Sequence, residues 1–170
     1  MLFDNGQYEF AKVVLAYSAD LYRFAYWLCR DRNLAEDLVQ EAFARGWAGW
    51  RGLRDTRVVK SWLFTILRNE HARLYERKQI EIADEQELED LMVSYESNIH
   101  SRLEMREALQ ALPQGYREPL LLQVLGGYSC AEIAAILSLK EAAVMTRLSR
   151  ARQAMRKLLE SEPKVMEQRL

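Results

Sequence analysis

Residues 127–159 read GYSCAEIAAILSLKEAAVMTRLSRARQAMRKLL, and this stretch decides the fold. Ser129 followed three positions later by Glu132 is a capping box, in which each side chain satisfies a free amide at a helix start. Ile133, Ala134, Ile136 and Leu137 give that short helix an inward face, and Ser138 and Leu139 supply a turn. In the helix that follows, Val144, Leu148, Ala151, Met155 and Leu158 are spaced four, three, four and three apart, one continuous stripe for burial. Thr146, Arg147, Ser149, Arg150 and Gln153 are left facing outward. Residues 140–157 carry 6 Lys/Arg against one acid, Glu141. Two short helices with a basic second member suit the major groove of DNA. There Arg pairs with guanine edges, while Ser, Thr and Lys anchor mainly to phosphates. A charge run alone is better read as a solvated helix face. The capped first helix, short turn and apolar stripe together favour DNA.

The rest of the chain is helical too. Apolar periodicity predicts helices near residues 8–29, 34–47, 60–78, 101–111, 117–125, 130–137 and 141–159, and no stretch alternates as a strand does. Pro119 is tolerable in the fifth of these if that helix begins close to Arg117, where the ring falls in the first turn. Residues 81–100, EIADEQELEDLMVSYESNIH, have weak periodicity and no strong caps; they read as a linker holding a short helix around residues 85–93. The expected architecture is all-α: a helical domain over residues 1–80, an acidic linker over 81–100, and a helix–turn–helix domain over 101–170.

Net charge is −1 over 170 residues, which taken whole argues against a nucleic-acid partner. The distribution reverses that. Residues 1–80 carry 13 Lys/Arg against 10 Asp/Glu, residues 81–100 none against 7, and residues 101–170 carry 11 against 8. Two basic ends flank an acidic middle. The opening MLFDNGQYEF lacks a basic start followed by an apolar core, so no secretory signal is expected. No run approaches the roughly 18–20 apolar residues that cross a bilayer, so no membrane insertion is expected either. The expected location is the cytoplasm. Cys29 and Cys130 fall on apolar helical faces like small core residues, and free thiols are expected of both.

Upstream, LAEDLVQEAFARGW (residues 34–47) turns Leu34, Leu38 and Ala42, with Val39 and Phe43, inward. Glu36, Asp37, Gln40 and Glu41 gather on the other side, and an acidic surface repels DNA and suits a basic protein partner. A Gly/Arg-rich loop over residues 49–59 follows, then SWLFTILRNEHARLYERK over 61–78. In that helix Trp62, Leu63, Ile66, Leu67 and Leu74 suit a core, while Asn69, Arg73 and Arg77 recur every four residues as a polar stripe. Residues 51–78 hold 8 basic residues against 3 acids, interleaved with Trp62, Phe64 and Tyr75. Basic charge with aromatics suits single-stranded nucleic acid, because charge follows the backbone and pockets receive unstacked bases. For Trp62 and Phe64 a core position is the more ordinary explanation.

With both segments quoted, the chain resembles the extracytoplasmic-function sigma factors, the smallest class of these bacterial RNA polymerase subunits. Residues 34–47 resemble the polymerase-binding helix of region 2, and residues 61–78 the helix that reads and opens the −10 element. Residues 111–159 resemble region 4, which reads the −35 element. By position, the resemblance implies that Asp37, Gln40 and Glu41 contact the coiled coil of the polymerase beta-prime subunit. It implies −10 DNA contacts by Arg51, Arg54, Lys60, Asn69, Arg73 and Arg77, with capture of a flipped non-template base. It implies −35 contacts by Ser129, Lys140, Thr146, Arg147, Arg150 and Arg152. It further implies double- and single-stranded promoter DNA as partners, and an anti-sigma protein, in many cases membrane-bound. Met145, Ser138 and the run 140–143 depart from the residues common in the family. No cofactor, no metal and no catalysis are implied.

Two other classes predict different features. A ligand- or phosphate-responsive regulator would carry a sensing domain upstream, which the basic, aromatic N-terminal helices do not resemble. An enzyme would need a constellation: only His71 and His100 are present, neither with a partner at metal-ligand spacing, and no Gly-rich phosphate loop occurs.

Overall fold

The computed structural model describes residues 5–83 and 101–160, with side chains placed for residues 6–76 and 105–160. Seven α-helices are described: α1 (Asn5–Cys29), α2 (Arg32–Gly49), α3 (Val59–Ala83), α4 (Ser101–Ala111), α5 (Gln114–Val124), α6 (Cys130–Leu137) and α7 (Glu141–Glu160). No strand occurs among the described residues. The short helix expected around residues 85–93 lies outside them.

The first three helices form one layered bundle. Arg30 takes a left-handed conformation (φ 59°) to turn the chain out of α1. Asp31 then caps α2, its carboxylate accepting the Leu34 amide at 3.0 Å. Leu21, Phe24, Ala25 and Leu28 of α1 meet Ala35, Leu38 and Ala42 of α2 and Leu63, Phe64 and Leu67 of α3, all buried. Gly46 lets α2 and α3 approach, since a Cβ there would stand 2.9 Å from Leu63 Cδ2. The loop expected over residues 49–59 is not irregular. It holds two 3₁₀ turns, Trp50–Gly52 and Thr56–Val58, the second capped by Asp55 accepting the Arg57 amide at 2.9 Å.

The last four helices build the second unit. The capping box forms as its spacing predicts: the Ser129 amide donates to Glu132 Oε2 at 2.8 Å and the Glu132 amide to Ser129 Oγ at 3.3 Å. Ile133, Ala134, Ile136 and Leu137 are all buried. Ser138 ends α6 in the left-handed region (φ 53°), a position that glycine fills at less cost. Val144, Leu148, Ala151 and Met155 form the buried stripe of α7, but Leu158 does not continue it and is 38% exposed.

One expectation fails for a clear reason. Helix α5 begins at Gln114, directly after Pro113, rather than near Arg117. Pro119 is therefore an interior residue, fully buried, and its ring removes one helical hydrogen bond. Pro113, extended at ψ 145°, accepts the Tyr116 and Arg117 amides at 2.9 and 3.0 Å and so sets the earlier start.

The two units pack together, α3 against α6 and α1 against α5, and their buried residues make one continuous apolar cluster. Tyr128, just before the capping box, is the bridging residue: its ring meets that of Phe64 edge to face. No described helix is long and apolar enough to cross a membrane.

Candidate functional site

Three surfaces carry the residues singled out from the sequence. On α2, Asp37, Gln40 and Glu41 are all exposed, one turn apart, while Ala35, Leu38 and Ala42 on the same helix are buried. The periodicity that seats the helix in its core therefore also presents the acids to a partner.

Beside them, a cleft of about 390 Å³ between α2 and α3 is lined by Asp37, Glu41, Arg45, Glu70, Arg73 and Leu74. The structure thus brings Arg73, a −10 candidate, to the same cleft as two polymerase candidates. Arg73 Nη1 donates to Glu70 Oε1 at 3.0 Å. Asn69 is exposed one turn earlier, its side-chain oxygen 3.5 Å from Arg68 Nη1. Arg51 and Arg54 are exposed around the 3₁₀ turns. At the start of the second turn, Arg57 grips Asp55 with two nitrogens at 3.0 and 3.1 Å, and the bonds it makes to Asp55 hold that carboxyl below its ordinary range. Arg77 belongs to α3, and its side chain lies outside the described set.

Lys60 stands apart from this group, at the seam between the two units. Its Nζ lies 3.3 Å from Asp20 Oδ2 and donates to the Gly126 carbonyl at 3.4 Å. The same ammonium sits 5.9 and 5.7 Å from the Phe64 and Tyr128 ring centroids. Burial pushes the Asp20 carboxyl up, but the hydrogen bonds and charges of Arg23 and Lys60 outweigh it and hold that carboxyl low. The Phe64 side chain is wholly buried, which settles its role as core. Trp62 is half-buried and covers Gly49, while Tyr75 is exposed.

The basic residues of α7 divide between two faces. Thr146, Arg147 and Arg150, with Tyr116 and Ala143, line an open cleft of about 640 Å³. The Thr146 hydroxyl also donates to the Ala142 carbonyl at 3.0 Å. Lys140 is exposed in the turn leading into α7. Arg152 is two positions beyond Arg150, roughly 200° around the helix. It is exposed at the border of an apolar groove of about 750 Å³ that it lines with Trp27, Leu121, Val124, Met155 and Leu159, and its Nη2 donates to Gln123 at 2.5 Å. Ser129 is exposed, with its hydroxyl engaged in the cap.

The sequence reading missed the residues that tie these helices to one another. Arg45 bridges Glu41 and Glu70 at 2.7 and 2.9 Å, and Arg68 Nε lies 3.5 Å from the buried carboxylate of Glu118 across the seam. Glu118 also accepts from Gln114 at 3.0 Å. The Glu41–Arg45 spacing of four is a helix-pair signal legible in the sequence; the cross-helix partners carry none. Further along the seam, Arg30 Nε and Nη2 lie 2.6 and 2.7 Å from the Gln110 side-chain oxygen when that amide is turned to accept. Arg117 Nη2 closes the end of α4 by donating to the Gln110 and Leu112 carbonyls at 2.7 and 2.8 Å. Burial, with Arg30 nearby, makes the charged Arg117 guanidinium easier to deprotonate than usual.

A helical bundle bearing an exposed acidic surface on α2, joined to a helix–turn–helix with exposed basic residues, defines a sigma-type specificity subunit of RNA polymerase. The Sigma-70 region 2 family matches residues 13–80, and the Sigma-70 region 4 family matches residues 102–155. The chain is 34% identical over 149 residues to the ECF RNA polymerase sigma factor SigM of Bacillus subtilis, covering 84% of this chain and 90% of that one. It is 34% identical over 149 residues to ECF RNA polymerase sigma factor EcfG of Rhodopseudomonas palustris, covering 86% and 82%. The chain belongs to the extracytoplasmic-function RNA polymerase sigma factors. Its fold superposes on the sigma factor RpoE of Bartonella quintana, solved with the anti-sigma factor NepR, at TM-score 0.75 and 29% identity over 91% of this chain and 99% of that one. CnrH, solved with the cytosolic domain of CnrY, matches at TM-score 0.68 and 26% identity, covering 92% and 91%.

Proposed function

We propose that this sigma factor docks on core polymerase through Asp37, Gln40 and Glu41, opposite the beta-prime coiled coil. Arg51, Arg54, Lys60, Asn69, Arg73 and Arg77 then serve the −10 element. Ser129, Lys140, Thr146, Arg147, Arg150 and Arg152 serve the −35 element, with Thr146, Arg147 and Arg150 forming the groove-reading centre. One observation carries the reading: exposed acids on α2 and exposed basic residues on α7 lie on surfaces that the buried faces of the same helices leave outward.

Within this proposal, residues 1–80 act as the region 2 domain, 81–100 as an acidic tether and 101–170 as the region 4 domain. Two weak DNA contacts on one tether gain strength when polymerase fixes their spacing, through effective concentration rather than new bonds. Melting needs no hydrolysis, because capture of an extruded base offsets its unstacking cost of a few kcal/mol. The anti-sigma factor NepR bound to the Bartonella quintana sigma factor RpoE supports control of this chain by such a partner, and CnrH, solved with the cytosolic domain of CnrY, is a second relative held by another protein. A cytoplasmic site of action follows from the polymerase.

Run-off transcription with core polymerase and a genomic promoter library tests the whole. The chain is expected to confer selected start sites, and Asp37→Arg to abolish core binding with the helical circular dichroism unchanged. Start-site selection that survives Asp37→Arg, Gln40→Ala and Glu41→Arg together would remove the docking assignment.

A further inference from the structure

Glu70 stands between the docking face of α2 and the DNA face of α3. Its side chain is 12% exposed, and its Oε1 lies 2.9 Å from Arg45 Nε and 3.0 Å from Arg73 Nη1. Arg45 Nε lies at the same time 2.7 Å from Glu41 Oε1. Four side chains of alternating charge, Glu41, Arg45, Glu70 and Arg73, thus run in sequence across the cleft. Both ends are open to solvent: Glu41 is 48% and Arg73 57% exposed.

Two guanidinium groups share one carboxylate oxygen, and among the described residues only Arg45 has a second acid. Arg45 divides itself between Glu41 and Glu70; Arg73 has Glu70. A basic surface that docks on Glu41 takes that carboxylate from Arg45. Arg45 is then free to close its planar fork on Glu70, the geometry in which arginine and carboxylate bind most strongly. Each gain by Arg45 at Glu70 is made at the expense of Arg73.

We propose that Glu70 is a positioning residue that transmits occupation of Glu41 to Arg73: it retains Arg73 at the cleft in the free chain and yields it to the DNA backbone once polymerase holds Glu41. The inference rests on the assignments of Glu41 to polymerase and Arg73 to the −10 strand made above. It gives a physical order to the two events, docking before strand capture, without any movement of the helices.

The full chain is titrated against a short fluorescein-labelled oligothymidylate at several salt concentrations, and anisotropy gives the binding constant. Each phosphate neutralised on a single strand steepens the plot of log K against log salt by about 0.7. Glu70→Gln is expected to bind several-fold tighter at low salt with a slope steeper by about 0.7. Glu41→Gln, which imitates docking by deleting that charge, is expected to shift the slope in the same direction, and to lose this effect when Arg45 is also replaced by Gln. Glu41 and Arg45 are surface residues, so this pair decides the matter even if Glu70→Gln is poorly folded. Both gains must vanish in an Arg73→Ala background. Gains that persist there, or that Glu36→Gln reproduces, are general charge effects and overturn the proposal. Run-off transcription separates the underlying reading: Arg73→Ala that abolishes it, with no slope change in Glu70→Gln or Glu41→Gln, sinks the coupling and leaves the −10 assignment standing. Arg73→Ala without effect on transcription sinks both.

Discussion

The Phe64 and Tyr128 rings meet edge to face, 5.4 Å between centroids with their planes at 77°, and so join α3 to the start of the helix–turn–helix. The arrangement suits the aromatic quadrupole, which places ring edge against ring face. Lys60 lies over both rings and hydrogen-bonds the Gly126 carbonyl beside them. A lysine proposed to serve DNA is therefore occupied by the other domain in this arrangement, and the seam must loosen before Lys60 can reach a phosphate.

Tyr128→Ala tests what the seam contributes. Tyr128 is 7% exposed and Phe64 is fully buried. Removing a large buried ring typically costs about 3–5 kcal/mol. The expected result of urea denaturation is a loss in that range, with faster proteolysis between the two units. A loss under about 1 kcal/mol would mean that the units hold together by other contacts.

The Tyr128 hydroxyl is buried with no hydrogen-bond partner among the described residues, and burial pushes its ionisation well above the ordinary tyrosine value, with Glu132 and Asp20 acting in the same direction. A raised folded-state value means that the neutral phenol is the form the fold accepts. Its stability contribution is complete below the unfolded tyrosine value of about 10 and declines as pH rises above it. Thermal melting of the parent is expected to fall more steeply between pH 9 and about 11 than that of Tyr128→Phe. Identical pH profiles would show that the phenol is solvated.

Gly126 is held to its identity by the same ring. A Cβ at this position would stand 2.5 Å from the Tyr128 ring and 2.6 Å from the Leu122 carbonyl oxygen. The carbonyl is backbone and cannot swing aside. Gly126→Ala is expected to destabilise by about 1–3 kcal/mol, as overpacking does, measured by chemical denaturation. Because Gly126 also accepts from Lys60, the substitution should increase oligothymidylate binding by the free chain as Lys60 is released.

How far the sequence discloses this architecture depends on how local each cause is. The capping box, the buried face of α6 and the stripe from Val144 to Met155 are set by spacing within one helix, and they stand as the spacing predicts. Leu158 fits that spacing yet lies open, because periodicity says which residues share a face and not where the covering helix ends. The start of α5 is not legible from Pro119, because the boundary is set six residues earlier by Pro113 in the preceding turn. The acids of α2 are legible as a surface. Their connection through Arg45 and Glu70 to Arg73 is not, since it joins residues far apart in sequence. The seam is less legible still: Arg68 reads only as one of the basic residues of the 51–78 segment, and only the packed units reveal Glu118 opposite it.

Ser129 separates a structural role from a binding one. Its hydroxyl accepts the Glu132 amide and donates to the Glu132 carboxylate at 2.9 Å, and the Ser129 amide and hydroxyl together hold that carboxyl below its ordinary range. Loss of such a cap costs about 1 kcal/mol. Ser129→Ala is expected to lower stability by this amount at pH 7. A lowered carboxyl supplies stability above the unfolded glutamate value, near 4.3, that disappears as pH falls through its folded value. The difference between parent and Ser129→Ala should therefore shrink below about pH 4. A difference unchanged by acid would assign the hydroxyl a role apart from Glu132.

Arg150 and Arg152 make the sharpest comparison on α7, being close in sequence and placed on opposed faces. Arg150 lines the open cleft with Thr146 and Arg147, whereas Arg152 lines the apolar groove with Trp27 and Met155 and is bonded to Gln123 at the surface. A bidentate arginine–guanine contact is worth about 1–3 kcal/mol of discrimination. Arg150→Ala is expected to weaken holoenzyme binding to a −35 duplex by that amount and to relax preference at one base pair. Arg152→Ala is expected to leave that preference intact and instead to lower thermal stability, because its stem covers apolar surface and its head holds α5. Footprinting on promoters mutated singly across the −35 hexamer measures both effects. Should Arg152→Ala alter base preference and Arg150→Ala leave it unchanged, the reading face of α7 would have to be rotated by about half a turn, and the apolar groove would lie toward DNA.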